Sequence, residues 1–145
     1  MENYLPSPID WVREQVEIYE SSGGTDGTTL LDTGLPCILI THVGNKTGAL
    51  RKTPLMRVKT NDSYVLIGSN GGNKRDPVWV HNLRENKVIQ LRDREEVFSM
   101  EVREVMERKE FDVLWGISVE AFPAYDDYKK KTSRKIPMFL AEPIA

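Results

Sequence analysis

The sequence has little cysteine, since Cys37 is the single one among 145 residues. One cysteine excludes an intrachain disulfide and a metal site built on paired cysteines, and it is typical of a reducing compartment. No apolar stretch approaches the roughly 18 residues that a membrane-spanning helix needs, and no N-terminal pattern indicates a secretory signal. The net charge of −2 gives no overall attraction to nucleic acid. We therefore expect a cytoplasmic protein that binds neither nucleic acid nor a metal.

A helix is predicted near the N-terminus, with Ser7 as its N-cap and Pro8 at its first helical position. Its apolar positions share one face, at Ile9, Val12, Val16 and Tyr19. The Gly-rich segment 21–29 predicts a flexible connector, so we expect a helix with connector, 1–29, and a main domain, 30–145. Because the polar face is acidic, we expect this helix to dock on the domain rather than on an anionic membrane. The alternative is a location at the inner face of the cell membrane.

Short runs rich in branched residues follow the connector and predict antiparallel strands. These runs are CILITHV, PLMRVKT, SYVLIGS, KVIQLRD and VFSMEVREV, and RKIPMFLAEPI predicts a closing edge strand. Short helices are predicted between them, one with Asp76 as its cap and Pro77 at its first position. The pattern indicates a mainly β fold with short helices, of the α+β class, arranged as a small closed or split β-barrel.

The loop GNKTGALRKTPL, residues 44–55, supports two interpretations. Its glycines allow backbone N–H groups to approach an anion, and Lys46, Thr47 and Arg51 add donors and positive charge, as a phosphate site requires. The spacing differs from that of a P-loop, and no helix follows. Taken alone, the pattern favours a solvated hairpin loop, because short polar turns commonly connect strands.

A Gly-rich segment lies between a predicted strand and a predicted helix. It consists of Ser69, Asn70, Gly71 and Gly72. The absence of bulky side chains there would admit a flat ring system or an anion at the helix N-terminus. Within the helix, Trp79 is expected to pack in the core, and Asn82 is either a ligand contact or a satisfied helix-end amide.

The two histidines are His42 and His81. Neither lies near a serine or cysteine in a known nucleophile motif. We assign neither of them a catalytic role.

The segment FPAYDDYKKKTSRK, residues 122–135, combines aromatic and basic residues. Tyr125 and Tyr128 are three positions apart, so on a helix they share a face and can close over a ligand. Five cations follow, at Lys129, Lys130, Lys131, Arg134 and Lys135. They either face an anion or form a solvated helix end that suits the helix dipole. The aromatic and basic residues do not interleave as they do in RNA-binding modules.

In this order, the three segments resemble the deazaflavin-dependent nitroreductase and quinone reductase family, whose members use coenzyme F420. The resemblance covers about residues 36–143 and implies a split β-barrel similar to the flavin-binding barrels. It implies hydride transfer from reduced deazaflavin to a small-molecule acceptor, a quinone-like, nitro or other unsaturated compound. The alternatives are an FMN-dependent reductase of a related barrel and a non-catalytic module that binds a cofactor or lipid. The sequence does not indicate an oligomeric state.

The resemblance also assigns roles to individual positions. The family's phosphate and tail-binding positions fall on Lys46, Thr47 and Arg51, with Lys52, Thr53 and Pro54 beside them. Its ring-binding positions fall on Ser69, Asn70, Gly71, Gly72, Val78, Trp79 and Asn82. The substrate pocket falls on Met56, Trp79, Phe122, Tyr125 and Tyr128, and the catalytic roles fall on Ser69, Tyr125 and Tyr128.

Three positions depart from the family pattern. Asn45 stands where the family often has arginine, which removes one cation from the tail site. Met56 and Phe122 stand where nitroreducing relatives have tyrosine. Losing two hydroxyls changes which substrate oxygens can be hydrogen-bonded, so these departures weaken the nitro expectation and leave the cofactor expectation in place.

Overall fold

The structure is a computed structural model and describes residues 3–144. Met1, Glu2 and Ala145, at the outer ends of the two expected units, lie outside the described residues. The helices are α1 Asp10–Ser21, α2 Val78–Glu85, α3 Arg108–Ala121 and α4 Ala124–Lys131. The strands are β1 Cys37–Val43, β2 Leu50–Met56, β3 Lys59–Thr60, β4 Ser63–Ile67, β5 Val88–Asp93, β6 Glu96–Glu104 and β7 Met138–Pro143. A single 3-10 turn, Asn70–Gly72, precedes α2.

The strands form one antiparallel sheet in the order β2-β1-β5-β6-β7-β4-β3. Its two edge strands, β2 and β3, are consecutive in the chain and are separated by two residues, Arg57 and Val58. The sheet must therefore curl until its edges approach each other at this junction. This curled sheet with short helices confirms the mainly β fold and the split β-barrel that the sequence predicts.

The strand pattern determines which faces of the sheet are buried. In β6, Met100 and Val102 are buried whereas Glu101 and Arg103 are exposed, as the alternation predicts. The inward side chains of the strands and α2 form the main core cluster, which includes Ile38, Ile40, Leu66, Leu91 and Phe139. A second cluster joins β7 to α3 and α4.

The prediction that the C-terminal segment is an edge strand is wrong. Strand β7 lies between β6 and β4, and Ala141 is paired with Val102 on one side and Tyr64 on the other. Proline suggests an edge because it cannot donate to a ladder. Here Pro137 precedes the strand and Pro143 ends it, so the interior donors of the strand remain available.

The predicted start of α1 is also wrong. The helix begins at Asp10 rather than Pro8, and Ser7 accepts a hydrogen bond from the Ile9 N–H (3.1 Å) just outside the helix. Ile9 therefore leaves the apolar stripe and is 54% exposed. None of the helices in the described part of the chain is long and apolar enough to cross a bilayer.

The remaining stripe of α1 docks on the outer side of β1. Val16 and Tyr19 are buried in a cluster with Cys37 and Leu39. The Tyr19 hydroxyl donates to the Cys37 carbonyl (3.1 Å) and accepts from the Arg94 N–H (2.7 Å). The helix is thus attached to β1 and to the β5–β6 turn.

The connector after α1 is hydrogen-bonded to its neighbours. The Gln15 side-chain amide donates to the carbonyls of Gly27 (2.9 Å) and Thr29 (2.6 Å). The N–H of Cys37, the first residue of β1, donates to the Thr28 carbonyl (2.9 Å). The division of the chain at residue 29 stays a prediction.

Candidate functional site

A pocket of about 500 Å³ lies between the β1–β2 loop and helix α2. Its lining comprises Gly44, Asn45, Lys46, Thr47, Arg51, Val78, His81 and Asn82. The volume is within the range of small-molecule and cofactor sites. The pocket therefore brings together five residues that the family resemblance assigns to the cofactor: Lys46, Thr47, Arg51, Val78 and Asn82.

The loop that forms one wall is a β-hairpin connection. Val43 pairs with Leu50 at the ends of β1 and β2, and the Gly44 N–H donates to the Ala49 carbonyl (2.7 Å). Gly48 has a φ of +72°, a left-handed conformation that favours glycine. Residues 45–48 are exposed at the tip. The hairpin interpretation is thus correct, and the same loop also lines the pocket.

The pocket carries uncompensated positive charge. Within residues 3–144, the ion pairs involve neither Lys46 nor Arg51. The next cation along β2, Lys52, points to the other face of the strand. Its Nζ lies 2.6 and 2.8 Å from the two carboxylate oxygens of Glu20 in α1. Lys52 therefore joins the strand to α1, away from the pocket.

A buried hydrogen-bonded chain connects the loop to α2 and β2. The Asn45 N–H donates to Asn82 Oδ1 (2.9 Å), and Asn82 Nδ2 lies 3.1 Å from His42 Nδ1. At the other side of the ring, His42 Nε2 lies 2.9 Å from Thr53 Oγ1. The imidazole is 3% exposed. Burial, together with the nearby Arg51 charge, lowers the pKa of His42 to about 4, so the ring is neutral at pH 7.

The Gly-rich segment after β4 is held by Arg134, which follows α4. The Arg134 guanidinium donates to the carbonyls of Ser69 (2.7 Å) and Asn73 (2.8 Å) and to the Asp76 carboxylate (2.7 Å). Asp76 is therefore not the cap of α2, and the predicted start at Pro77 is wrong, because the helix begins at Val78. Of the five downstream cations, Arg134 fixes the loop rather than forming a solvated helix end.

The Gly-rich segment packs directly on α4. Gly72 has a φ of +82°, and a Cβ atom there would lie 3.1 Å from both the Tyr128 carbonyl oxygen and the Lys131 Cβ. Only glycine allows this approach without displacement of the helix. The predicted ring-binding segment and the predicted substrate tyrosines are thus neighbours.

The aromatic residues of α3 and α4 form one cluster. The Phe122 ring lies 5.0 Å from Tyr125 and 6.0 Å from Tyr128 between centroids, both in edge-to-face geometry. Trp115 packs on Tyr125 (6.1 Å), and Met56 belongs to the same buried cluster. Four of the five expected substrate residues therefore lie together.

Trp79 lies elsewhere, in the main core cluster, where it packs on Phe139 at 5.9 Å and is 4% exposed. This agrees with the core packing expected for it from the residue pattern. Thr53 and Pro54 lie in β2, where Thr53 is bound to His42 and Pro54 is buried.

The Tyr125 hydroxyl is the notable polar group of the aromatic cluster. The residue is 5% exposed, and burial raises the pKa of its hydroxyl. No protein hydrogen bond to this hydroxyl is formed within the described residues, yet no side-chain nitrogen or oxygen there is both fully buried and unpartnered. The hydroxyl oxygen is therefore not completely enclosed.

Sequence reasoning missed some residues of the site. His42 received no role, and neither His81 nor Gly44 was assigned to a ligand although both line the pocket. The contact between Asn45 and Asn82 joins residues 37 positions apart, which no local pattern could reveal.

No cluster of three or more metal-ligating side chains occurs between residues 3 and 144.

The chain is similar to known proteins over most of its length. The model of a family described as F420H(2)-dependent quinone reductase matches residues 11–143. An F420H(2)-dependent quinone reductase of Mycobacterium tuberculosis is 32% identical over 133 residues, covering 90% of this chain and 88% of the relative.

Two solved structures agree with this match. One, described as an F420-H2 dependent reductase, is 36% identical with a TM-score of 0.69, covering 79% of this chain and 98% of that chain. The other, described as a domain-swapped dimer, is 41% identical with a TM-score of 0.72, covering 94% of this chain and 100% of that chain.

Proposed function

Because the chain belongs to the F420H(2)-dependent quinone reductase family, we propose that it transfers a hydride from reduced F420 to a quinone-like acceptor bound at the aromatic cluster. The chain is an F420-dependent oxidoreductase, and F420 is its cofactor. What we propose is the identity of the acceptor and the residues that hold the acceptor and F420.

The observation that carries the proposal is the charge of the pocket beside the β1–β2 loop. Its lining contains Lys46 and Arg51 and no carboxylate. The N–H groups of Gly44, Asn45 and Gly48 donate within the protein. The exposed loop adds the N–H groups of Lys46 and Thr47 and the Thr47 hydroxyl, which accepts from the Ala49 N–H (3.2 Å). Such donors suit the phosphodiester and polyglutamate tail that the family resemblance implies for the cofactor. The residues present therefore fit the group, with Lys46, Thr47 and Arg51 holding the tail.

The ring is proposed to lie along the Gly-rich segment. Ser69 and the turn Asn70–Gly72 connect β4 to the approach of α2, and α2 contributes Val78 to the pocket of the tail. The guanidinium of Arg134 fixes the Ser69 carbonyl, so the segment is shaped before the ring binds. When bound, the reduced deazaflavin supplies the hydride.

The acceptor is proposed to lie against the aromatic cluster, beside the Gly-rich segment. Phe122 and Tyr128 would enclose a flat ring and exclude water from it. A tyrosine hydroxyl is protonated at neutral pH, since its ordinary pKa is near 10, and burial raises the pKa of Tyr125 further. The hydroxyl can therefore donate a hydrogen bond to an acceptor oxygen. Rate enhancement would rest mainly on proximity and orientation.

The cluster favours a quinone over a nitro compound. Met56 is buried in the cluster and Phe122 packs partly buried against it, and both are apolar where some nitroreducing relatives have tyrosine. Without the two hydroxyls, Met56 and Phe122 supply no donor to the oxygens of a nitro group. We therefore expect higher kcat/KM for menadione than for a nitroimidazole.

The test has a binding arm and a turnover arm. Equilibrium dialysis against F420 and FMN is expected to show F420 binding, and tight FMN binding without F420 binding would support the FMN-dependent alternative instead. In the second arm, protein, reduced F420 and menadione are mixed, and the oxidised chromophore is followed. Binding of F420 without acceleration over a panel of quinones would indicate a carrier rather than an enzyme.

A further inference from the structure

His42 occupies the centre of the hydrogen-bonded chain behind the proposed tail site. It is buried in β1, is not among the residues that line the pocket, and belongs to no nucleophile motif. The chain runs from Thr53 in β2 through His42 and Asn82 to the backbone of Asn45. Asn45 is followed directly by Lys46 and Thr47, which line the pocket.

The donor and acceptor roles along this chain follow from one fixed point. A backbone N–H can only donate, so the atom of Asn82 that contacts the Asn45 N–H is the carbonyl oxygen Oδ1. The other end of the amide is then NH₂, which donates to His42 Nδ1. Nδ1 must therefore carry the lone pair.

The ring proton of the neutral imidazole consequently lies on Nε2. From there it is donated to Thr53 Oγ1, 2.9 Å away. The Thr53 hydroxyl can accept or donate, so the Asn82 amide sets the tautomer and Thr53, on β2, holds the other side of the ring. Each bond thus fixes the next, and the last one fixes the Asn45 amide at the base of the loop.

We propose that His42 is a positioning residue for cofactor binding, which orients the Asn82 amide so that Asn82 holds the loop bearing Lys46 and Thr47 in its binding conformation. This inference rests on the proposed tail site. Arg51 occupies the position opposite His42 in the β1–β2 pair, so the same pair of strands aligns a cation of the pocket and the residue that orders its loop.

Two substitutions of similar polarity separate positioning from simple core packing. In His42→Asn, the side-chain carbonyl is one bond from Cγ, as Nδ1 is, so an acceptor for Asn82 is retained. In His42→Gln, the polar atoms lie one bond farther out, near the place of Nε2, and the acceptor is lost. Tyr64→Phe serves as the control, because it removes a buried hydrogen bond to Asp93 (2.6 Å) outside the pocket.

Two measurements are made on each variant. Amide hydrogen exchange by NMR reports the Asn45 N–H in the protein without cofactor, and calorimetric titration with F420 reports affinity. We expect His42→Gln to speed Asn45 exchange and to weaken F420 binding, each by roughly tenfold, the value of one hydrogen bond. In His42→Asn and Tyr64→Phe, the Asn45 exchange rate and the F420 dissociation constant should each stay within about threefold of the values of the unchanged protein. A difference of that size corresponds to less than one hydrogen bond.

The outcomes distinguish this inference from the proposed function. Unchanged Asn45 exchange in His42→Gln, or equal losses in the Asn and Gln variants, would overturn the positioning role. If His42→Gln failed to fold, loss of Asn45 protection in folded His42→Asn would overturn it as well. If the unchanged protein bound no F420, the proposed function would fail, and the exchange measurement would still decide whether His42 orders the loop.

Discussion

At the scale of single residues, the side of the strand to which a side chain points decides its role more than its chemical type does. Arg51 and Lys52 are adjacent cations of β2, and they face opposite sides because strand residues alternate. Arg51 lines the pocket, whereas Lys52 is paired with Glu20 of α1. Residue identity alone would place both at the cofactor, as the family resemblance does.

The first prediction concerns the two cations of the pocket. We expect Lys46→Ala with Arg51→Ala to weaken F420 binding by about 3 kcal/mol, roughly a hundredfold, because two charge-assisted contacts are lost. Titration of the apo protein with F420 measures the effect. The control, Lys87→Ala with Lys109→Ala, removes two exposed charges elsewhere and should leave affinity unchanged. If both double variants bound F420 with equal affinity, the loop would be an ordinary hairpin with no role in cofactor binding.

The second prediction concerns the hydroxyl of Tyr125. We expect Tyr125→Phe to lower kcat/KM for menadione by about tenfold, since one hydrogen bond to the acceptor oxygen is lost. F420 affinity and the unfolding free energy should not change, because the hydroxyl forms no hydrogen bond within the described residues. Tyr4→Phe, near α1, is the matched control. A Tyr125→Phe enzyme with unchanged steady-state kinetics would contradict the assigned role.

The third prediction concerns the pH dependence of stability. The pKa of folded His42, about 4, lies below the ordinary value near 6.5, so the unfolded chain binds a proton first. The stabilisation of the folded state by neutral, buried His42 is therefore fully present above pH 6.5 and is lost as the pH falls to 4. It amounts to about 3 kcal/mol at 1.36 kcal/mol for each pKa unit. Urea unfolding from pH 7 to 4 should show a smaller loss for His42→Asn than for the unchanged protein; parallel curves would contradict this.

At the scale of elements, the junction of the two edge strands is held by an ion pair between a half-buried arginine and a buried aspartate. Arg57, between β2 and β3, donates to the Asp93 carboxylate at the end of β5 (2.8 and 3.0 Å). Tyr64 of β4 donates to the same carboxylate at 2.6 Å. One acidic side chain thus connects segments from both ends of the sheet order.

The fourth prediction follows from this junction. We expect Asp93→Ala to lower the free energy of unfolding by about 3 kcal/mol, because it leaves the buried Tyr64 hydroxyl and the half-buried Arg57 guanidinium without their acceptor. Urea denaturation measures the loss. In Asp112→Ala, the exposed pair with Arg108 (3.9 Å) is removed, and the expected loss is below about 0.5 kcal/mol. Similar losses in the two variants would show that the junction does not depend on the ion pair.

At the scale of the whole molecule, the first helix covers the outer side of the sheet. Cys37 lies fully buried beneath it, and burial raises the pKa of its thiol to about 12. The thiol is therefore protonated and shielded at pH 8. Its reactivity reports how often α1 leaves the sheet.

The fifth prediction uses this reporter. Tyr19→Phe removes both hydrogen bonds of the Tyr19 hydroxyl, so we expect Cys37 to react with an aromatic disulfide about tenfold faster, without an equal loss of global stability. Ser118→Ala, which removes a buried hydroxyl bond within α3 (2.7 Å), should leave the rate unchanged. If Cys37 in Tyr19→Phe reacted faster only by the factor by which global unfolding increased, residues 1–29 would not behave as a separate unit.

Much of the molecule could be predicted because the signals are local. Alternation in β6 identifies its buried face, and the three ordered segments identify the family and its cofactor. The failures are equally specific. The closing segment is predicted to be an edge strand, but β7 pairs with β4 and β6, and Pro143 at its end leaves the ladder intact. Asp76 suggested a helix cap, but the side chain of Arg134, 58 positions away, takes its carboxylate.

The sequence by itself determined the mainly β barrel, the F420-dependent family and the basic character of the β1–β2 loop, because strand periodicity and short-range motifs depend on neighbouring residues. Tertiary structure alone decided that Arg51 faces the pocket while Lys52 binds α1. It also decided that Trp79 lies apart from the aromatic cluster, and that His42 and Asn82 support Asn45. Those outcomes depend on contacts between residues far apart in the chain, and such contacts exist only after the sheet has curled.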